Sequence, residues 1–91
     1  MGALHIRPVV APPHYELLTT EEAARALGAS KRTVTAYLRA GKLTGGRTLG
    51  GHRRADRDAV AGVALRMGLA WAVAEHDARQ ALQAATTGDT P

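Results

Sequence analysis

The chain has 91 residues and a formal net charge of +4, and its length leaves room for one small domain with tails, because two cores would each be too small for burial to outweigh chain entropy. Alanine supplies 19 of the 41 hydrophobic residues against 17 for Leu, Ile and Val together, a composition that favours short packed helices over a thin core and argues against a β-sandwich or a deep catalytic cleft. The absence of cysteine excludes a disulfide framework, a thiolate zinc site and a cysteine nucleophile, so an intracellular module with no cofactor is the default expectation.

Residues 1–14, MGALHIRPVVAPPH, hold Pro8, Pro12 and Pro13 and no apolar run long enough for a signal-peptide core, and they read as a flexible N-terminal tail. Thr19 stands three residues before Glu22 and just ahead of AARAL, the spacing of a capping box. A first helix of about two turns is predicted from there, with Ala23, Ala24 and Leu27 inward and Gly28 as its stop. Glu21 and Glu22 suit the positive end of its dipole. Ser30 is a favoured N-cap for a second helix from Lys31 to about Ala40, ended by Gly41. In it Val34, Tyr37 and Leu38 recur at spacings of three and four, while Lys31, Arg32, Thr35 and Arg39 lie opposite. Two short helices, small residues where they cross and a basic outer row fit a helix-turn-helix, although an αα-hairpin with a solvated outer face has the same pattern.

Farther along, Arg47, Thr48 and Leu49 are separated from His52, Arg53 and Arg54 by Gly50 and Gly51. A two-residue Gly-Gly loop supplies the positive φ angles of a tight hairpin, so two short basic strands are predicted, with a Gly-rich loop as the alternative. Such a ribbon can reach a phosphate backbone or insert arginine into a minor groove. Asp56 or Asp58 begins a third helix with Val60, Val63, Ala64 and Met67 on one face, and Gly68 marks a kink or break. Trp71, Ala74, Ala78, Leu82 and Ala85 resume helical spacing in a last helix over 69–85, followed by a flexible tail over 86–91. Trp71 either completes the small core or, with Leu82, docks a second subunit. The longest apolar stretch, Ala59 to Ala74, contains Arg66 and falls short of the roughly 20 residues a membrane span needs.

Charge is distributed unevenly over these elements. Between Lys31 and Arg57 eight cations meet the single acid Asp56, whereas the rest of the chain carries four cations and seven acids. Like charges gathered on a compact domain repel one another, and a polyanion relieves the repulsion, which points to nucleic acid. Gly46 to Gly51 has the glycine spacing of a phosphate-binding loop, but His52 and Arg53 stand where that loop requires Lys and Ser or Thr. Histidines 5, 14, 52 and 76 lack metal-ligand spacing, and no nucleophile, base and orienting partner can be assembled, so neither a metal nor an enzymatic activity is expected.

The run LLTTEEAARALGASKRTVTAYLRAGKLTGGRTLGGHRR, residues 17–54, resembles the DNA-binding domain of BldC-type regulators within the MerR-like winged helix-turn-helix superfamily. The resemblance rests on the LLT opening, the TV at Thr33 and Val34, AGKL at Ala40 to Leu43 and RTLGGHRR at Arg47 to Arg54. It implies a mainly α fold with a two-stranded hairpin wing and a winged helix-turn-helix domain over 15–67. It further implies double-stranded DNA as partner, with Lys31, Arg32, Thr33 and Thr35 entering the major groove and Arg47, His52 and Arg53 at wing positions on the flanking minor groove. Together with the basic pattern, the candidate DNA-binding residues are Ser30, Lys31, Arg32, Thr33, Thr35, Arg39, Lys42, Arg47, Thr48, His52, Arg53 and Arg54. The chain departs from the usual family pattern at Ala36, Tyr37 and Ala55. Expected partners are DNA and a second copy, head-to-tail on direct repeats or through the last helix, in a cytoplasmic, nucleoid-associated setting. The competing readings are a phage-type excisionase that bends attachment-site DNA and a protein-interaction module.

Overall fold

In the computed structural model residues 9–88 are described, and the remainder of the two expected tails, 1–8 and 89–91, lies outside them. Seven elements follow in order: β1 (Leu17–Thr19), α1 (Thr20–Leu27), α2 (Lys31–Arg39), β2 (Gly45–Arg47), β3 (Arg53–Asp56), α3 (Arg57–Arg66) and α4 (Ala70–Gly88).

Local chemistry sets the boundaries. At the start of α1 the Thr19 hydroxyl accepts from the Glu22 N–H at 3.0 Å and the Glu22 carboxylate accepts from the Thr19 N–H at 2.8 Å, which is the expected capping box. Gly28 ends the helix at φ 66°, a left-handed conformation open to glycine without steric penalty. Ser30 caps α2, accepting from the Thr33 N–H at 3.1 Å, so a three-residue turn joins the two helices. Asp56 occupies the N-cap of α3, and a left-handed Gly68 separates α3 from α4, a break rather than a kink. Met67, expected on the buried face of α3, is 53% exposed at its C-cap.

The sheet has three strands in the order β1-β3-β2, both pairings antiparallel, where two were expected. Strand β1 is too short to show a two-residue alternation, and its last residue is also the N-cap of α1, so the helix signal hides it. It sets the buried Leu18 opposite the buried Ala55, fixing the base of the hairpin to the start of α1. Six of the eleven buried hydrophobic residues are alanines, and only Leu18, Val34 and Val60 are large and fully enclosed, each burial contributing about 1.5–3 kcal/mol. Helix-turn-helix, sheet and α3 close around them.

Two further segments complete this core. The first turns of α4 pack on it through Ala72 and Trp71, whose indole N–H donates to the Ala26 carbonyl at 2.8 Å. The stretch before β1 is tied down as well: the Val10 N–H donates to the Arg25 carbonyl, Pro12 is buried, and the Pro12 and Pro13 carbonyls accept from Arg57 at 3.2 and 2.8 Å. Residues 9–14, expected within a free tail, are therefore a strap along the domain, and α4 runs three residues past its expected end at 85.

Candidate nucleic-acid interface

The two-faced pattern of α2 is realised in space. Val34 is fully buried against α1 and Tyr37 and Leu38 are half-buried, while Lys31, Arg32 and Arg39 are exposed and Thr35 lies between them. Arg32, Thr35, Ala36, Arg39 and Ala40 line a shallow open concavity along the outer face of the helix. The Ser30 and Thr33 hydroxyls stand 3.0 Å apart, so both belong to the cap. Lys42, just past the helix, holds its ammonium 5.4 Å from the Tyr37 ring centroid.

The hairpin differs in detail from the expected two-residue Gly-Gly turn. Arg47 pairs with Arg53, the Thr48 N–H donates to the His52 carbonyl at 2.9 Å, and the Gly51 N–H donates to the Thr48 carbonyl at 2.9 Å. The loop is thus Leu49–Gly51, and Gly51 alone of its two glycines is left-handed, at φ 82°. A three-residue loop closing on one left-handed glycine matches the natural twist of the strands and needs positive φ at a single position. At the hairpin base a Cβ on Gly45 would stand 2.0 Å from the Arg54 carbonyl oxygen, so only glycine lets β2 approach β3.

Register places Arg47 and Arg53 side by side, with Arg54 on the opposite face of the strand, where its guanidinium donates to the Arg53 carbonyl at 3.1 Å. Partial desolvation, then the nearby Arg47 and Arg39 charges, hold the Arg53 guanidinium below the ordinary arginine range. The Arg39 charge on α2 is thus felt at the hairpin, so helix and hairpin share one positive field. Arg47, Arg53 and Arg54 also line the cleft between the hairpin and Leu38 and Leu43. Thr48 and His52 are exposed at the hairpin end, where the Thr48 hydroxyl accepts from the His52 N–H at 3.3 Å.

Acids do not neutralise this surface. No Asp or Glu occurs from Lys31 to Ala55, and among the described residues the ion pairs join Arg25 to Glu21, Arg57 to Glu75, Arg79 to Asp58 and Glu75, and His76 to Asp77. None involves Lys31, Arg32, Arg39, Lys42, Arg47, Arg53 or Arg54. The eighth cation of the basic stretch, Arg57, belongs elsewhere: it is buried, with its guanidinium on the Glu75 carboxylate at 2.5 and 3.0 Å and 5.9 Å from the Trp71 ring centroid. Position 57 looked like part of the basic face only because its partner lies 18 residues away in sequence.

Of the two oligomerisation candidates, Trp71 is half-buried with its indole N–H bonded within the chain, and Leu82 is 70% exposed on the outer part of α4. Leu49, which sequence reasoning placed within a strand, stands at the hairpin tip fully exposed to solvent. Among the described residues no helix is long and apolar enough to cross a membrane, and no group of His, Cys, Asp and Glu could hold a metal ion.

A helix-turn-helix with an acid-free cationic outer face, joined to a basic hairpin by a small sheet, defines a winged helix-turn-helix DNA-binding protein. A family model described as a helix-turn-helix domain matches residues 17–63, and the chain belongs to that family. No curated protein and no solved structure matches it.

Proposed function

We propose that the protein is a sequence-specific DNA-binding transcription regulator of the BldC and MerR-like kind, with α2 in the major groove and the β2–β3 hairpin in the flanking minor groove. In this reading Lys31, Arg32 and Thr35 reach base edges, whereas Arg39, Lys42, Arg47, His52, Arg53 and Arg54 engage phosphates and the minor groove. Ser30 and Thr33 hold the start of the recognition helix in place, and Thr48 holds the wing tip. The observation that carries the proposal is the pairing of Arg47 with Arg53 on a hairpin that shares a cleft with α2, whose outer face is basic, with no acid from Lys31 to Ala55. Direct repeats bound head-to-tail would give adjacent copies a common orientation, and Leu82 on α4 offers a separate route to self-association.

The test is binding of the full chain to duplexes selected from a random-sequence library, measured across salt. Engaging about five to seven phosphates predicts a fall of log K with log salt at roughly 0.9 per phosphate. Arg47→Ala and Arg53→Ala each flatten that slope by about one unit, while Arg32→Ala also relaxes preference between selected and random duplexes. Salt-independent affinity, or no selection of any duplex, defeats the reading. An integrase gene beside this one, with binding confined to the attachment site, would assign the same face to excision instead.

A further inference from the structure

We propose that Leu49 is an apolar wedge which enters the minor groove at one base step and unstacks it, so that the protein kinks the duplex it binds. The inference rests on the DNA-binding reading above and adds to it a residue that carries no charge.

Five observations converge on this side chain. Leu49 has a relative exposure of 110%, the highest of the exposed large hydrophobics, ahead of Leu82 at 70% and Tyr15 at 64%. A scattered exposed leucine is ordinary, but this one occupies the point of a hairpin, where the domain can first meet a groove. Its neighbours Thr48, Gly50 and Gly51 are small, so the isobutyl group projects alone, a shape suited to the gap between two base pairs rather than to a broad protein surface.

The tip is also pre-organised. Bonds from the Thr48 N–H to the His52 carbonyl, from the Gly51 N–H to the Thr48 carbonyl and from the His52 N–H to the Thr48 hydroxyl close the loop behind Leu49. Insertion then loses little loop entropy. Immediately below the tip Arg47 and Arg53 face one another across the strands as cations able to hold phosphates while the apolar group enters, and the exposed His52 lies next to Arg53 in the chain. A leucine between cations on a rigid ribbon is the combination that opens base steps, and unstacking is easiest at TA and CA/TG steps.

The experiment uses the full chain and a duplex selected by it from a random-sequence library. End-to-end energy transfer reads the bend, and 2-aminopurine placed at successive steps beside the major-groove site reads unstacking. The wild type is expected to bend the duplex and brighten one step. Leu49→Ala is expected to lose both signals and about tenfold in affinity, the scale set by removing most of a buried leucine side chain. Its salt slope stays the same because no cation is removed, and its melting temperature is unchanged because the leucine is exposed. Leu49→Met retains bend and brightening, whereas Leu49→Lys binds without brightening. A straight wild-type complex, or a Leu49→Ala complex bent and unstacked like the wild type, overturns the wedge while leaving DNA binding intact. A lowered melting temperature for Leu49→Ala also overturns it, by showing that the leucine has a partner within the fold or a second copy. Failure of the wild type to select any duplex removes the DNA-binding reading itself.

Discussion

Replacing Glu75 by glutamine tests whether Arg57 is the hub that joins strap, core and α4. The Arg57 side chain is only 8% exposed and has four acceptors: both Glu75 oxygens and the carbonyls of Pro12 and Pro13. Glu75→Gln keeps the shape and one acceptor but leaves the guanidinium with only the field of the exposed Asp58 as counter-charge. Stranding one member of a buried pair costs about 3–5 kcal/mol. The Glu75 side chain is 22% exposed, so water recovers part of that, and a loss of about 2–3 kcal/mol is expected. For a domain of this size each kcal/mol moves Tm by about 4–8 °C, which gives a fall of about 10–20 °C.

Thermal and urea melts followed by circular dichroism and by the fluorescence of Trp71, the single tryptophan, would measure it. Trp71 sits against Arg57, so both probes should shift together. Pairing Arg57→Met with Glu75→Leu should recover only part of the loss, since apolar replacement removes both desolvated charges but leaves the Pro12 and Pro13 carbonyls without their donor. A shift of under about 2 °C in Glu75→Gln would mean that the pair behaves like a surface salt bridge and that the strap and α4 are held by something else. A flatter salt slope in Arg57→Met would return Arg57 to the proposed DNA-binding face.

Three further outcomes follow from particular contacts. The hydrogen bond from Arg57 holds the Glu75 carboxyl below its ordinary range, so its contribution is present above the unfolded value of about 4.3 and is lost as pH falls through the lower native value; acid melts should show this loss in the wild type and a shallower one in Glu75→Gln. Gly45→Ala forces a Cβ onto the Arg54 carbonyl oxygen, and amide exchange in β2 and β3 should accelerate well before exchange in α1. Thr19→Ala removes half of the capping box and should lower stability by about 1 kcal/mol in urea titration, with unchanged m-value.

What the sequence discloses is the part of the fold fixed by neighbours. The capping box at Thr19 and Glu22, the Ser30 cap, the glycine stops at 28 and 41 and the two faces of α2 are local chemistry, legible at spacings of three and four. Strand β1 escapes because three residues carry no period, and because Thr19 serves strand and helix together. The hairpin is legible but its loop is not, since GG satisfies either a two-residue turn or a three-residue one, and only the Arg47–Arg53 pairing chooses between them. Arg57 is the clearest lesson for the site: charge along the chain marks the basic segment, but only packing separates the seven cations left facing solvent or one another from the one that faces Glu75.

The same separation gives the protein's response to salt opposite signs in its two states. Seven cations with no acid among them raise the free energy of the folded domain, because folding sets Arg47 beside Arg53 and adds the field of Arg39, charges that an expanded chain holds apart. The core that must outweigh this repulsion is built largely from alanine, so a small electrostatic change is a large fraction of total stability. Salt screens the exposed repulsions over a Debye length of about 10 Å at 0.1 M but barely reaches the enclosed Arg57–Glu75 pair. Raising sodium chloride from about 20 to 300 mM should therefore raise Tm of the free protein while lowering its affinity for DNA, and Arg53→Ala should weaken both effects at once. A Tm that falls with salt would show that attractive surface pairs such as Arg25–Glu21 dominate the free protein, and that the basic face is not under self-repulsion.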